Sequence, residues 1–490
     1  MNACRYNGGV SNTTLLEEIR RIALLAGLLL PTALLAQDRL PAPVAQALKA
    51  AGVPQASVAV LVQEVDARMP RASFNADKPM NPASVMKLVT TYAALELLGP
   101  AYAWKTEAYA LGPINDGVLE GDLAFKGYGD PKFGFEQFWL LLRQLRDKGL
   151  REIRGNLLLD RSHFASTAHD PARFDGEPLR PYNVGPDALL VNYKAVRLSF
   201  APDAARRILT VSAEPFPPQF DLVNLVKLTD GTCGSAWYEG IRMDLAETGA
   251  VARLILTGSY PAACGEKTRS VSVMSHPQFV AGVFRQLWKE LGGTFNGGLR
   301  EGILPAEARL LARGESPALA EVVRDINKFS NNVMTRQIFL TLAAEKLGAP
   351  GTLEKGRQVM ADALARRGLD FPELRIGNGA GLSRDNRISA RSLGRLLLAA
   401  RNSPFGAEFQ ASLSLAGLDG TTRRRFQKDS LAGQMHLKTG TLDGVSAIAG
   451  YVRDQSGAEY VVVAIANQPK ATWGGGQEAQ NALLRWVNRL

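Results

Sequence analysis

The stretch Asn81-Pro82-Ala83-Ser84-Val85-Met86-Lys87 leads into a run, Val85 to Leu98, that is apolar on nearly every face and stops at Gly99-Pro100. Proline near the first turn, glycine just past the end and almost no polar face describe a central buried helix, around which the rest of the fold must pack. Ser84 falls at or near its N-terminus. Ser84 and Lys87 are three residues apart, which on a helix places them on one face, one turn from each other. Two more short motifs follow in order, Ser330-Asn331-Asn332 and Lys438-Thr439-Gly440. Singly, SxxK and SxN are weak signals, and Ser73-Phe74-Asn75 also satisfies SxN. The ordered set is informative because a helix, a loop and a strand can then supply one acyl-transfer site.

The residue types suit that chemistry. A serine hydroxyl needs a base to take its proton in the transition state. Lys87 can be that base if its pKa falls, and burial, the positive end of the helix dipole and a second cation at Lys438 all push it down. Ser330 can relay a proton to a leaving amine, and the Asn332 amide can both donate to and accept from a peptide. Lys438-Thr439-Gly440-Thr441 reads as an edge strand. There Gly440 permits close approach of substrate backbone, and the free amides and carbonyls pair with substrate as an added strand. Lys438 and Thr439 would attract a substrate carboxylate or help the proton relay, and the backbone N–H groups of Ser84 and Thr441 would form the oxyanion hole. The four histidines are scattered without metal-ligand spacing, and neither a GxSxG elbow nor a P-loop is present. The reading calls for no cofactor and no metal.

At 490 residues the chain is too long for one ordinary core. Composition is that of a globular protein, with 46% hydrophobic and 21% charged residues. The net charge of +10 is spread thinly, and Arg423-Arg424-Arg425 reads as solvated surface rather than a nucleic-acid patch. Arg20-Arg21 precede the apolar run Ile22 to Ala36, which suits a signal peptide over residues 1–36 and is short for a membrane span. The expectation is export to the periplasm with at most peripheral membrane contact; an uncleaved anchor is the alternative. Cys233 and Cys264 are the only cysteines of the mature chain, and a disulfide between them or two buried thiols are both open.

Periodicity places a short helix at Val44 to Ala51, a strand at Ser57 to Val65 and short strands from Val118 to Phe125 and from Ile153 to Asp160. Further β-like runs lie at Val196 to Phe200 and Arg253 to Thr257, and a helix at Gln278 to Leu291. Helical periodicity resumes after Pro317. The chain then finishes with strands at His436 to Thr441, Ser446 to Arg453 and Tyr460 to Ala466. A last helix follows, with Ala479, Ala482, Leu483, Trp486 and Leu490 on one stripe.

On these motifs, and on Gly129-Asp130-Pro131, Gly381-Leu382-Ser383-Arg384 and Gly417-Leu418-Asp419-Gly420-Thr421, the chain resembles the class C low-molecular-mass penicillin-binding proteins. This is the D-alanyl-D-alanine carboxypeptidase/endopeptidase family. The resemblance implies a mixed α/β fold: a penicilloyl-serine transferase domain, an antiparallel sheet flanked by helices, with two nested inserted domains rich in β structure. The implied division is residues 37–98 and 316–490 for the catalytic domain, 99–190 and 273–315 for domain II, and 191–272 for domain III. It also implies peptidoglycan stem peptides as substrate and β-lactams as inhibitors; a homodimer is left open, and nucleic acid is not a partner. Some members read the free end of diaminopimelate with an acidic residue of the insertion. Asp160 matches that role, with Asp130 as competitor and strand-end capping as the alternative; Arg384 is a further candidate contact. Two departures stand out: Asn378-Gly379-Ala380-Gly381-Leu382-Ser383 lacks a carboxylate and a hydroxyl usual in the family, and Asp443 stands where some relatives carry an amide. A β-lactamase or esterase on the same fold, or an inactive wall-binding protein, is the alternative function.

Overall fold

Valine-rich strands from both ends of the chain make one sheet. The computed structural model describes Ala3 and residues 40–249 and 251–490; the rest of the expected leader, with Cys4, lies outside the described residues. The strands of this sheet, in chain order, are β1 (Val58–Glu64), β2 (Ala72–Phe74), β3 (Ser414–Leu415), β4 (Met435–Leu442), β5 (Val445–Arg453) and β6 (Glu459–Asn467). They lie in the order β3-β4-β5-β6-β1-β2, and every pairing is antiparallel. The two chain ends therefore meet in mid-sheet, Val62 opposite Val462. Side chains alternate between two cores: Val58, Val60 and Val62 face one, Ala59 and Leu61 the other. Both faces are covered, which is why β5 and β6 read as continuous apolar runs.

Five helices position the site: α1 (Ala42–Ala50), α2 (Lys87–Leu98), α3 (Leu319–Phe329), α4 (Asn332–Leu347) and α5 (Gly476–Asn488). α1 and α5 pack on one face of the sheet. On the other, α2 is buried from Lys87 to Leu95 among α3, α4 and the sheet. The buried stripe of α5 is Ala479, Gln480, Leu483, Leu484 and Val487. Leu490 is exposed and Ala482 and Trp486 only half-buried, so the expected stripe is rotated by about one position, which lets Gln480 bond Ser446 across the core (2.9 Å).

The chain between α2 and α3 builds separate sheets. A five-stranded sheet has the order Leu299–Glu301, Leu157–Asp160, Asp122–Gly127, Lys105–Leu111, Arg309–Glu315. Within residues 196–271 there are a three-stranded sheet and a four-stranded one centred on Val251–Pro261. A single hydrophobic cluster runs from Ala108 to Ala312 through these sheets, and Cys233 is bonded to Cys264. The expected strands Val118 to Phe125 and Ile153 to Asp160 are each broken in two. The break has a steric cause: a Cβ on Gly121 would sit 1.9 Å from the Leu111 carbonyl oxygen, and one on Gly155 would sit 2.4 Å from the Gly121 carbonyl carbon. Two glycines back to back let the segments cross where side chains would collide.

Candidate active site

The first turn of the central helix is tighter than an α-helix. Ala83–Met86 forms a 3₁₀ turn, entered through Ala83 at φ +47°, and the α-helix proper begins at Lys87. Ser84 stays partly exposed while Lys87 is fully buried. Lys87 Nζ lies 3.0 Å from Ser84 Oγ and donates to Asn332 Oδ1 (2.6 Å) and to the Ala380 carbonyl (2.5 Å). A neutral amine has two N–H bonds and one lone pair. With both N–H groups committed, the lone pair is left for the Ser84 hydroxyl. Burial, followed by the charges of Lys438 and Arg336, holds Lys87 well below the usual lysine range.

Ser330-Asn331-Asn332 is the corner between α3 and α4. Ser330 adopts the left-handed conformation (φ 58°, ψ 38°) that ends α3 and projects its hydroxyl. Asn331 caps α4 by accepting from the Met334 N–H (3.0 Å), and Asn332 is the first residue of that helix. Lys438 donates to Ser330 Oγ (2.9 Å) and to the Thr439 carbonyl (2.7 Å); burial lowers its pKa to about 7. The site thus has two halves, Ser84–Lys87–Asn332 and Ser330–Lys438, joined by the corner. The second SxN match goes elsewhere: Asn75 ties down β1 by donating to the Val58 carbonyl (2.9 Å).

β3 pairs with β4 only at Leu437 and His436, so from Lys438 onward that side of β4 is an open edge. Gly440 backs onto the Ala83–Met86 turn: a Cβ there would lie 2.5 Å from the Pro82 carbonyl oxygen and 3.0 Å from the Ser84 nitrogen. Gly381, at φ +85°, presses on the other side, where a Cβ would sit 2.1 Å from the Ala83 carbonyl oxygen. Only glycine fits at either place, and between them they brace Ser84. Thr441 is exposed and lies in register with Ser446. Thr439 Oγ1 donates to Thr421 Oγ1 (2.9 Å), while Lys328 binds the Leu413 carbonyl (2.9 Å) and Asp419 Oδ2 (2.5 Å), which pins the loop carrying Thr421 beside the strand.

The insertion reaches the site too. Phe174 packs with Ala83, Leu442, Val445 and Leu382, and the Tyr182 carbonyl accepts from Asn332 Nδ2 (3.4 Å). Arg384 is exposed, donates to the Asp443 carbonyl (2.6 Å) and lies 5.3 Å over the Phe174 ring. Asp160 is different. It is fully buried, and its oxygens accept from the Ser162 N–H (2.9 Å) and hydroxyl (2.6 Å), from the Leu304 N–H (2.9 Å) and from Lys126 (3.1 Å). Those contacts are what strand-end capping calls for, and the side chain is closed off from solvent. Asp130 is also buried and accepts from the Lys132 N–H (2.7 Å). Sequence reasoning missed the Ala380 carbonyl, Thr421, Tyr182 and Arg336. Backbone contacts leave no mark on residue type, although Thr421 sits in a motif already noted. The departure at Asn378 orders its own loop: its amide donates to the Leu382 carbonyl (2.8 Å) and accepts from the Ala380 N–H (3.1 Å), which aims the Ala380 carbonyl.

A family model described as D-Ala-D-Ala carboxypeptidase 3 (S13) matches residues 40–490. The chain belongs to that family. It is a low-molecular-mass penicillin-binding protein and a serine DD-peptidase, a hydrolase. A D-alanyl-D-alanine carboxypeptidase of Actinomadura sp. is 30% identical over 77% of this chain and 71% of its own length. The D-alanyl-D-alanine carboxypeptidase DacB of Haemophilus influenzae is 23% identical over 84% of this chain and 85% of its own. Among solved structures, penicillin binding protein 4 of Haemophilus influenzae superposes with a TM-score of 0.77 at 22% identity, covering 91% of this chain and 99% of that one. Its fold, the penicilloyl-serine transferase fold, is the fold of this family member.

Proposed function

We propose that Ser84 is the nucleophile and Lys87 its general base, in an enzyme that removes the terminal D-alanine of peptidoglycan stem peptides and opens D-alanyl-diaminopimelate crosslinks. The observation that carries the assignment is the contact set of Lys87: buried, flanked by a second cation, and with Nζ 3.0 Å from Ser84 Oγ. Ser84 Oγ attacks the carbonyl carbon of the penultimate D-alanine as its proton passes to Lys87 Nζ. The negative oxygen is held by the N–H groups of Ser84 and Thr441, each such donor being worth about 2.7–4 kcal/mol. The C–N bond then breaks, and the leaving amine takes a proton through Ser330, whose hydroxyl is held by Lys438. Water hydrolyses the resulting ester by the reverse path and frees Ser84. Lys438, Thr439 and the edge of β4 hold the substrate's carboxylate and backbone, and Gly440 keeps that edge against the nucleophile turn. Arg384 beside Phe174 borders the groove on the side of the insertion.

β-Lactams acylate Ser84 in this reading, because their strained amide mimics the scissile bond; a β-lactam complex of the Haemophilus protein supports the inhibitor class. Peptidoglycan as substrate supports a location outside the cytoplasm, in the periplasm. The catalytic domain is the six-stranded sheet and its helices, and the sheets between α2 and α3 are the inserted units. Fluorescent penicillin with intact mass before and after tests the assignment. One adduct on the Ser84 peptide, lost in Ser84→Ala, is expected together with release of D-alanine from a stem pentapeptide. Undiminished labelling of Ser84→Ala overturns it.

A further inference from the structure

Arg336 lies four residues beyond Asn332 on α4, so the two side chains share a helix face at roughly 5–6 Å between Cβ atoms. It is buried, with 6% of its surface exposed. Its hydrogen bond runs from Nη1 to the Val184 carbonyl (2.5 Å), in the turn that follows Tyr182. No acidic side chain forms an ion pair with it among the described residues, and burial alone lowers its pKa to about 10. A buried guanidinium without a carboxylate is costly to keep. The same face of α4 carries Asn332, on the Tyr182 carbonyl, and Val333, packed with Val184 and Leu190; Gln337 exchanges bonds with Asp187 at 2.7 and 2.9 Å. This is the seam between the inserted segment and the catalytic helices.

We propose that Arg336 is a positioning residue for acyl transfer, docking the 181–184 turn onto the catalytic helix and placing a permanent buried charge one turn behind the Asn332–Lys87 pair. Asn332 is the hinge of the arrangement, since it touches Lys87 with one amide atom and the Tyr182 carbonyl with the other. The charged groups facing Lys87 are Lys438 from β4 and Arg336 from α4. From the inserted segment, His169 faces Arg336 and binds the Asn183 carbonyl (2.6 Å); it is held below its usual range by burial, and by the charge of Arg336 among others. Both neighbours of Lys87 are positive, so each favours its neutral, proton-accepting form. Lys438 is also needed for the substrate, whereas Arg336 makes no hydrogen bond to Ser84, Lys87, Ser330 or Lys438 and is free to act as a fixed charge.

This inference rests on the acyl-serine reading, so its test includes a readout that needs no substrate. In Arg336→Met and Arg336→Lys, the titration of Lys87 is followed by 13C NMR of labelled lysine Cε, the signal being assigned by its loss in Lys87→Met. Acylation by a chromogenic cephalosporin is measured across the same pH range. Arg336→Met is expected to move the Lys87 titration and the acid limb of acylation upward together by about one pH unit. That is about a tenfold loss near the limb which recovers as pH rises. Arg336→Lys, which keeps the charge, is expected to restore the limb while raising KM through the looser turn. A limb and a Lys87 titration that stay put in Arg336→Met, with or without a pH-independent loss of rate, overturn the proposal. So does Arg336→Lys shifting as far as Arg336→Met. A Lys87 titration that moves in a protein that no β-lactam acylates would keep the electrostatic role and sink the acyl-serine reading instead.

Discussion

The surroundings of Ser84 and three buried carboxylates between α2 and α3 handle buried charge in opposite ways. In the insertion, Glu107 is almost fully buried and accepts from Tyr109 (2.7 Å), Tyr128 (2.8 Å) and Arg313 (2.9 Å), with Lys105 at 3.3 Å. Asp160 is saturated in the same manner, and Asp187 is clasped by Arg161 and the Leu189 N–H. Those carboxylates are held below their ordinary range despite burial, because hydrogen bonds and cations favour the charged form. Around Ser84 the buried groups are Lys87, Lys438 and Arg336, bound to hydroxyl, amide and carbonyl groups rather than to acids. Paired buried charge fixes architecture, and like charges crowded together without acids hold reactive protonation states.

The sharpest way to break this contrast is Lys87→Met, which replaces the proposed base with an apolar side chain of similar length. Acylation by penicillin is expected to fall about 10²–10⁴-fold with the melting temperature unchanged or raised, since a costly buried amine is removed. A melting temperature well below wild type would place Lys87 among the architectural charges. Next in size is Gly440→Ala. The added Cβ collides with the Pro82 carbonyl and displaces the edge strand from the Ser84 N–H, and a loss of about 10²–10³-fold in kcat follows from a disturbed oxyanion hole.

The pH profile sharpens the comparison further. Lys87 must be neutral to accept a proton, so acylation is expected to fall about tenfold per unit below its lowered pKa, a limb well under the ordinary lysine range. Lys438 titrates at about 7 in the free enzyme, so KM for a carboxylate-bearing peptide should rise on the alkaline side as that cation is lost. Smallest in catalytic consequence is Asp160→Asn. It leaves Lys126 without its carboxylate, and should cost about 1–3 kcal/mol in denaturant unfolding while the acylation rate per folded molecule stays at wild type. A selective rise in KM for diaminopimelate-containing peptides, with stability intact, would return Asp160 to the substrate groove.

Much of the site could be read in the residues themselves. SxxK works through three-residue spacing on one helix, and the apolar run after it announces burial, so the closeness of Ser84 to Lys87 and the burial that lowers the lysine pKa both follow from local pattern. Ser330-Asn331-Asn332 and Lys438-Thr439-Gly440 were legible as residue types suited to a corner and an edge strand. The sheet strands β1, β5 and β6 were found to within a residue or two for the same reason, since a buried strand is written as a continuous apolar run. What escaped was carried by backbone or by distance: the Ala380 carbonyl, the Tyr182 carbonyl, and Arg336, which reads locally as one more surface arginine. Asp160 shows the converse. Its position at a strand end was legible, but whether it meets substrate or the Leu304 N–H depends on a segment 144 residues away.

By itself the sequence determined the order of motifs, the central helix and the chemistry that serine and lysine one turn apart can perform, because helical spacing and apolar patterning act over a few residues. Only the tertiary structure decided which hydroxyl each lysine holds, that Gly440 and Gly381 brace Ser84 from two sides, and that the insertion lays Phe174 and Tyr182 on the catalytic helices. Those outcomes depend on contacts between segments hundreds of residues apart. Close packing selects such contacts jointly, and no single stretch encodes them.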